Sequence, residues 1–381
     1  MSSVSFLLDE DELLLQQTVR AYFDKRVAPL IAEHERNRTF AWELLPELYE
    51  FGYVRGVASE ADGGDEISFM ANAILMEEAG RIWGSLRTTM NIASMVAKLL
   101  SKAGTPEQKE RFLAPLLRAE RYGWFALTEP DAGSDAGALR TTAKPDGDGY
   151  RIRGNKLYIT NGMGGDFGIV LADVPGVGVT AFVVDKEESP YLCADIPHMP
   201  VRSTTSCELA FDDVYVPAAN IVGELGGGFA LAMNVVNMGR LNMSMGAVGI
   251  MQACLEASID YTTNRHQFGK PIAAFQLVQQ MVVEIATLTE TSRLLGYKAA
   301  RALDSGGSGR FECSMAKYYC GESASKAATL ALQVHGGAGL MEESPVERYF
   351  RDAREATIPE GTTQIQILQM GKQLLGVSAM R

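Results

Sequence analysis

Cysteine and histidine are scarce in this sequence. Its five cysteines, Cys193, Cys207, Cys254, Cys313 and Cys320, are scattered and show no C-x-x-C spacing. An odd, dispersed set is no disulfide framework and points to reduced thiols in a cytoplasmic setting. The four histidines, His34, His198, His266 and His335, form no H-x-x-x-H pair and no His/Cys cluster, so no metal site is expected. No apolar run approaches the roughly 18 residues that a membrane helix needs, and membrane insertion is not expected. The stretch from Met1 to Glu12 has no basic region ahead of an apolar one, and it reads as neither a signal nor a transit peptide. Positive charge is in deficit as well: 35 Lys and Arg stand against 47 Asp and Glu, a net charge of −12. That balance argues against non-specific binding to nucleic acid or to an anionic membrane. It leaves room for a small anionic ligand held by local arginines. The sequons at Asn37 and Asn242 read as chance matches.

What is present is ordinary globular composition, 46% hydrophobic and 22% charged over 381 residues, enough for two or three domains. Residues 9–118 carry helical spacing throughout. A first helix starts on the acidic run Asp9 to Asp11 and is expected to stop at Pro29. Others cover 42–51, 67–83 and 85–103, and Thr105-Pro106 reads as a cap with proline at the first helical position. From about Tyr122 the pattern shortens into strands at 124–128, 141–144, 150–160, 167–172, 179–184 and 207–216, with a hairpin-type turn at Pro145 to Gly149. After Gly226-Gly227-Gly228 four long helices follow, at 229–264, 273–304, 310–335 and 362–375, and read as a bundle. The order is all-α, all-β, all-α. The predicted fold is α+β: an N-terminal helical domain over 1–120, a middle antiparallel, barrel-like β domain over 121–223, and a four-helix bundle over 224–381.

Read plainly, the motifs are modest. Leu127 to Asp135 (Leu-Thr-Glu-Pro-Asp-Ala-Gly-Ser-Asp) is a loop of turn formers that could present backbone N–H groups and hydroxyls to a polar ring or a thioester tail. Ser134 has no G-x-S-x-G frame, so no esterase elbow is expected. Gly336-Gly337-Ala338-Gly339 follows a helix rather than a strand and is not a dinucleotide fingerprint. Glu360 lies just ahead of a helix, where a carboxylate suits the positive dipole end, or could stand beside a cleft as a general base. Arg87 reads as a surface arginine before a partner for a substrate carboxylate.

Taken in order, five segments resemble the acyl-CoA dehydrogenase flavoprotein family. They are Leu127 to Asp135, Tyr158-Ile159-Thr160-Asn161-Gly162, Asn264 to Pro271 (Asn-Arg-His-Gln-Phe-Gly-Lys-Pro), Gln333 to Gly339 (Gln-Val-His-Gly-Gly-Ala-Gly), and Pro359-Glu360-Gly361-Thr362. The resemblance implies FAD bound without a Rossmann fold. Phe125, Leu127, Thr128, Gly133, Ser134, Tyr158, Ile159 and Thr160 would line the isoalloxazine. Arg265, Phe268 and Gln276 would meet the adenine-diphosphate end, joined by Gln333, Val334, Gly336 and Gly337 of a neighbouring subunit. Thr362 and Gln364 would complete the cofactor contacts. Ser134, Asn237, Arg240 and Gly361 would touch the acyl thioester or its pantetheine arm. Glu360 stands where most members carry the base that takes the α-proton; a minority carry it just before the arginine matching Arg240, where this chain has Gly239. The resemblance further implies an acyl-CoA substrate, an electron-transferring flavoprotein as partner, and a homotetramer or homodimer. Two departures stand out. Many relatives have Asp where Asn237 stands and Trp where Tyr158 stands. Asn237 keeps open an alternative: a flavin-dependent desaturase or oxidase working on a group bound to a carrier protein.

Overall fold

The computed structural model describes residues 7–380; the first six, part of the stretch read for a leader, lie outside them. Helix α1 (Glu10–Tyr22) opens on a capping box, in which the Asp9 side chain accepts from Glu12 N–H and Glu12 reaches back to Asp9 N–H. The helix was expected to stop at Pro29. Instead the chain passes through a π-helical turn at Phe23–Val27 and continues as α2 (Ala28–Asn37). Pro29 sits in the first turn of α2, where its missing N–H leaves no gap in the ladder. Then come α3 (Leu45–Tyr49), α4 (Phe69–Ile82), α5 (Gly84–Ala103) and two short pieces, α6 (Pro106–Gln108) and α7 (Ala114–Leu117). Thr105 caps α6 with Pro106 inside the start, as its sequence predicts.

The middle of the chain forms strands β1 (Gly123–Ala126), β2 (Thr142–Asp146), β3 (Gly149–Thr160), β4 (Phe167–Val174), β5 (Gly178–Asp185), β6 (Leu192–Asp195), β7 (Ser206–Pro217) and β8 (Ile221–Val222). They order as β6-β7-β3-β2-β4-β5-β8, with β1 on β4. Pairing is antiparallel except where β1 and the first residue of β2 meet β4 in parallel. β6 and β8 were not expected from sequence; at four and two residues they are too short to show a period. β4 is buried on both faces: Ile169 and Leu171 pack toward the helices, while Val170 and Ala172 join the second core with Ile159, Phe182 and Leu209. A strand covered on both sides reads as a continuous apolar run, as this one does.

The chain then returns to helices: α8 (Gly228–Asn264), a small hairpin of β9 (His266–Gln267) and β10 (Lys270–Pro271), α9 (Gln276–Asp304), α10 (Arg310–His335), α11 (Pro345–Glu355) and α12 (Thr363–Leu375). α11 adds to the four helices expected. Its buried face contains Arg351 and Asp352 beside Val346 and Ala353, so charge is mixed into its short apolar stripe. α4 lies against α8 backbone to backbone: a Cβ on Gly80 would collide with the Gly246 main chain. A buried pair, Arg293 Nε to Glu77 Oε1 at 2.9 Å, ties α9 to α4. These contacts hold α4, α8 and α9 together. Among the described residues no helix is long and apolar enough to cross a membrane.

Candidate active site

Glu360 stands in the link between α11 and α12. Its φ is +58°, and Gly361 follows at +90°. A left-handed glutamate costs of order 1–2 kcal/mol and persists only where its surroundings hold it. Two donors do so. Arg240 Nε and Gln366 Nε2 both donate to the Glu360 carbonyl, at 3.2 and 3.1 Å, and Gln366 also donates to the Gly361 carbonyl at 2.9 Å. The Glu360 N–H donates to no backbone carbonyl among the described residues. The side chain runs toward α8. A Cβ built on Gly239 would lie 2.7 Å from Glu360 Cδ and 2.9 Å from each carboxyl oxygen. The carboxyl therefore occupies the space a side chain at 239 would need, which explains physically why a base at 239 and a base at 360 are alternatives.

Asn91 Nδ2 donates to Glu360 Oε1 at 3.3 Å. Burial pushes the carboxyl up to about 7, against the downward pull of Arg240, Asn91, Lys317 and Arg87. A carboxyl poised near neutrality suits a general base. Lys317, on α10, is 1% exposed and its Nζ has no hydrogen-bond acceptor among the described residues; burial lowers it to about 8. Arg87 is not on the surface. It is 2% exposed and ion-paired with Glu355, so its charge is already matched. Asn237 is also buried; its Nδ2 donates to Ser308 O at 2.9 Å and its Oδ1 has no partner among the described residues.

A second group forms where β1 runs out beside β3. Leu157 N–H donates to Thr128 O at 2.9 Å. The buried Lys156 Nζ donates to Leu127 O at 3.1 Å and to Glu129 Oε1 at 2.7 Å. Glu129 also accepts from the N–H groups of Arg140 and Thr141, which staples the 127–141 loop to β3. The β3–β7 register shifts between Lys156 and Ile159. Such a bulge re-aims side chains, and Tyr158, at φ +60°, is left 64% exposed. The hydroxyls of Thr128, Ser134 and Thr160 make no hydrogen bond among the described residues, and Gly133 lies exposed beside Ser134. Ile159 and Phe125 instead point into the two cores, so Ile159 offers a ligand only its backbone.

The remaining expected positions lie elsewhere. Arg265, Phe268 and Gln276 are exposed beyond the end of α8, Arg265 being about 37 Å along the helix axis from Arg240 at roughly 1.5 Å per residue. Gln333, Gly336 and Gly337 are exposed at the end of α10, whereas Val334 is buried. Tyr261 stacks on His335 with ring centroids 4.3 Å apart, so both sets share one end of the bundle. Thr362 Oγ1 accepts from Ile365 N–H as the cap of α12, and Gln364 is exposed. Within one protomer the Arg265 cluster thus lies at a distance from the base pocket.

Matches to the N-terminal, middle and C-terminal domains of acyl-CoA dehydrogenases cover residues 9–120, 124–214 and 226–375. The chain belongs to the acyl-CoA dehydrogenase family. An acyl-CoA dehydrogenase of Bacillus subtilis is 35% identical, over 96% of this chain and 98% of its own. Butyryl-CoA dehydrogenase from Megasphaera elsdenii superposes with a TM-score of 0.92 at 32% identity, covering 97% and 99% of the two chains. A glutaryl-CoA dehydrogenase from Mycobacterium smegmatis, in complex with FADH2, gives 0.95 at 27% identity over 100% and 98%.

FAD is the cofactor of the acyl-CoA dehydrogenases, and the residues present fit it. The β1–β3 edge offers uncommitted hydroxyls and an exposed ring. The Arg265 guanidinium has no carboxylate partner among the described residues, and a Cβ on Gly336 or Gly337 would meet open space, a cradle suited to a diphosphate. Sequence reasoning missed Asn91, Lys317, Gln366 and the Glu129–Lys156 pair. Asn91 and Lys317 meet the site from distant elements; Gln366, on the next helix, and Glu129, inside the 127–135 segment, lie close in sequence, but no spacing marks their side-chain roles.

Proposed function

We propose that this chain catalyses α,β-dehydrogenation of an acyl-CoA, with Glu360 taking the α-proton and electrons leaving to an electron-transferring flavoprotein. A carboxyl near neutrality, confined against Gly239 and steadied by Asn91, carries the reading. Arg240 and Gln366 pin the Glu360 carbonyl, which leaves the Glu360 N–H free to donate to the thioester oxygen as charge develops there. When bound, FAD accepts the β-hydrogen as hydride. Thr128, Ser134, Tyr158 and Thr160 orient the ring, and the buried pocket keeps water from the proton that Glu360 removes.

We assign the Arg265, Gln276 and Gln333–Gly337 positions to the FAD of a second copy, within a homodimer or homotetramer. Phe268, 93% exposed on the hairpin, supports an interface there. The three stretches 1–120, 121–223 and 224–381 act as domains in this scheme. The five free cysteines suit a reducing cytoplasm.

Glu360→Gln is the direct test. The variant should stay yellow, while acyl-CoA-dependent flavin bleaching, followed anaerobically across a panel of chain lengths, should slow by about 10²–10⁴-fold. Bleaching at the original rate removes Glu360 from the reaction.

A further inference from the structure

Three asparagines connect Glu360 to the interior of the helical core. Asn72 on α4, Asn242 on α8 and Asn91 on α5 are 3%, 0% and 2% exposed. Asn72 Nδ2 donates to Asn242 Oδ1 at 2.7 Å, Asn242 Nδ2 donates to Asn91 Oδ1 at 2.9 Å, and Asn91 Nδ2 donates to Glu360 Oε1 at 3.3 Å. Full burial of Asn242 also rules out a glycan at its sequon.

Chemistry fixes the direction of this chain. An ionised carboxylate only accepts, so Asn91 must turn its NH₂ to Glu360. Its oxygen then faces Asn242, which must donate in turn, and the same logic sets Asn72. Reversing one amide strands a buried polar group unless all three reverse together. Oε1 is thereby held as an acceptor, whereas Oε2 has no hydrogen bond among the described residues.

We propose that Asn72, Asn242 and Asn91 are positioning residues that form a one-way amide relay, reserving Glu360 Oε1 as an acceptor and Oε2 for the substrate proton. The inference rests on Glu360 as the base. The charged groups around that carboxyl are Arg240 from α8, Lys317 from α10 and Arg87 from α5, with Glu355 of α11 paired to Arg87 and also facing Lys317. None of them belongs to the relay, so their contribution stays constant while the amides are altered.

The test needs no substrate. A difference infrared spectrum of FAD-loaded protein, wild type minus Glu360→Gln, isolates the carboxyl C=O band and its titration. In Asn91→Leu the midpoint should rise by about one unit, since a donor to the charged form is lost. The band should also move to higher wavenumber, because the carbonyl Oε1 no longer accepts. Asn242→Leu and Asn72→Leu should raise the midpoint by progressively smaller steps, and they carry the test if Asn91→Leu fails to fold. A merely structural role would lower the melting temperature and leave the midpoint in place. Unchanged midpoints in all three variants, or an unmoved band in Asn91→Leu, overturn the relay. So does the absence of a titrating carboxyl band near neutrality. Dehydrogenation itself is judged separately, by bleaching in Glu360→Gln.

Discussion

The β1–β3 edge and the pocket around Glu360 hold their polar groups in opposite ways. At the edge, backbone and a buried Lys156–Glu129 pair fix the loop from behind, while the outward hydroxyls and Tyr158 stay uncommitted. In the pocket a few donors from inside the protein fix the reacting group itself, Arg240 and Gln366 on the Glu360 carbonyl and Asn91 on Oε1, and the chain tolerates a left-handed glutamate to arrange it. The edge is built to receive a ring that arrives with its own chemistry. The pocket is built to hold one proton acceptor in one place. Substitutions at the edge should therefore affect cofactor binding, and substitutions in the pocket should affect proton removal.

The sharpest way to break this contrast is Gly239→Ala. Its Cβ would enter the space of the Glu360 carboxyl, 2.7 Å from Cδ. Misplacing a reacting group by about an ångström costs on the order of 10²-fold. The variant should retain FAD, shown by its absorbance per subunit, and lose about that factor in the single-turnover rate of flavin reduction. Equal loss of FAD and of rate would mean that the two regions are not separable.

The two regions also differed in how far they could be read from sequence. The edge lies in two contiguous segments, 127–135 and 158–162, whose turn formers and order are visible in one dimension, and Glu360 was picked out by Pro359 to Thr362. The pocket wall is assembled from α4, α5, α8 and α10, which meet only because helices such as α4 and α8 pack backbone to backbone. Asn91 and Lys317 carry no local mark of that meeting, and Arg87 was mistaken for a surface residue because nothing nearby in sequence supplies Glu355. α11 was overlooked although Val346, Tyr349, Phe350 and Ala353 stand at helical spacing; the stripe is short and set among charges, and its buried Arg351 bonds Glu347 and lies across from Glu35.

A smaller effect tests the pocket's charges. Lys317 holds the Glu360 carboxyl below the value that burial alone would set. Lys317→Met removes that positive charge, so the carboxyl should hold its proton to higher pH. Because the base must be ionised, the acid limb of the reduction rate against pH should move upward by about one unit, a roughly tenfold slower rate near pH 6. The gap from wild type should narrow above about 8, where Lys317 itself sheds its proton. A limb that stays in place would place Lys317 outside the electrostatics of the base.

The mildest change addresses the edge alone. Tyr158 is turned outward by the bulge in β3 and packs on nothing that the fold itself needs. Removing an aromatic face from a ring it stacks on costs about 0.5–1.5 kcal/mol, so Tyr158→Ala should weaken FAD by roughly 2- to 12-fold at 1.4 kcal/mol per decade. Fluorescence titration of the apoprotein with FAD measures this directly. The pH midpoint of flavin reduction should stay where it is, since Tyr158 touches none of the groups around Glu360. A shifted midpoint would show that the ring's seat and the proton's seat are coupled through the flavin, and the division between edge and pocket would then be one of position rather than of energetics.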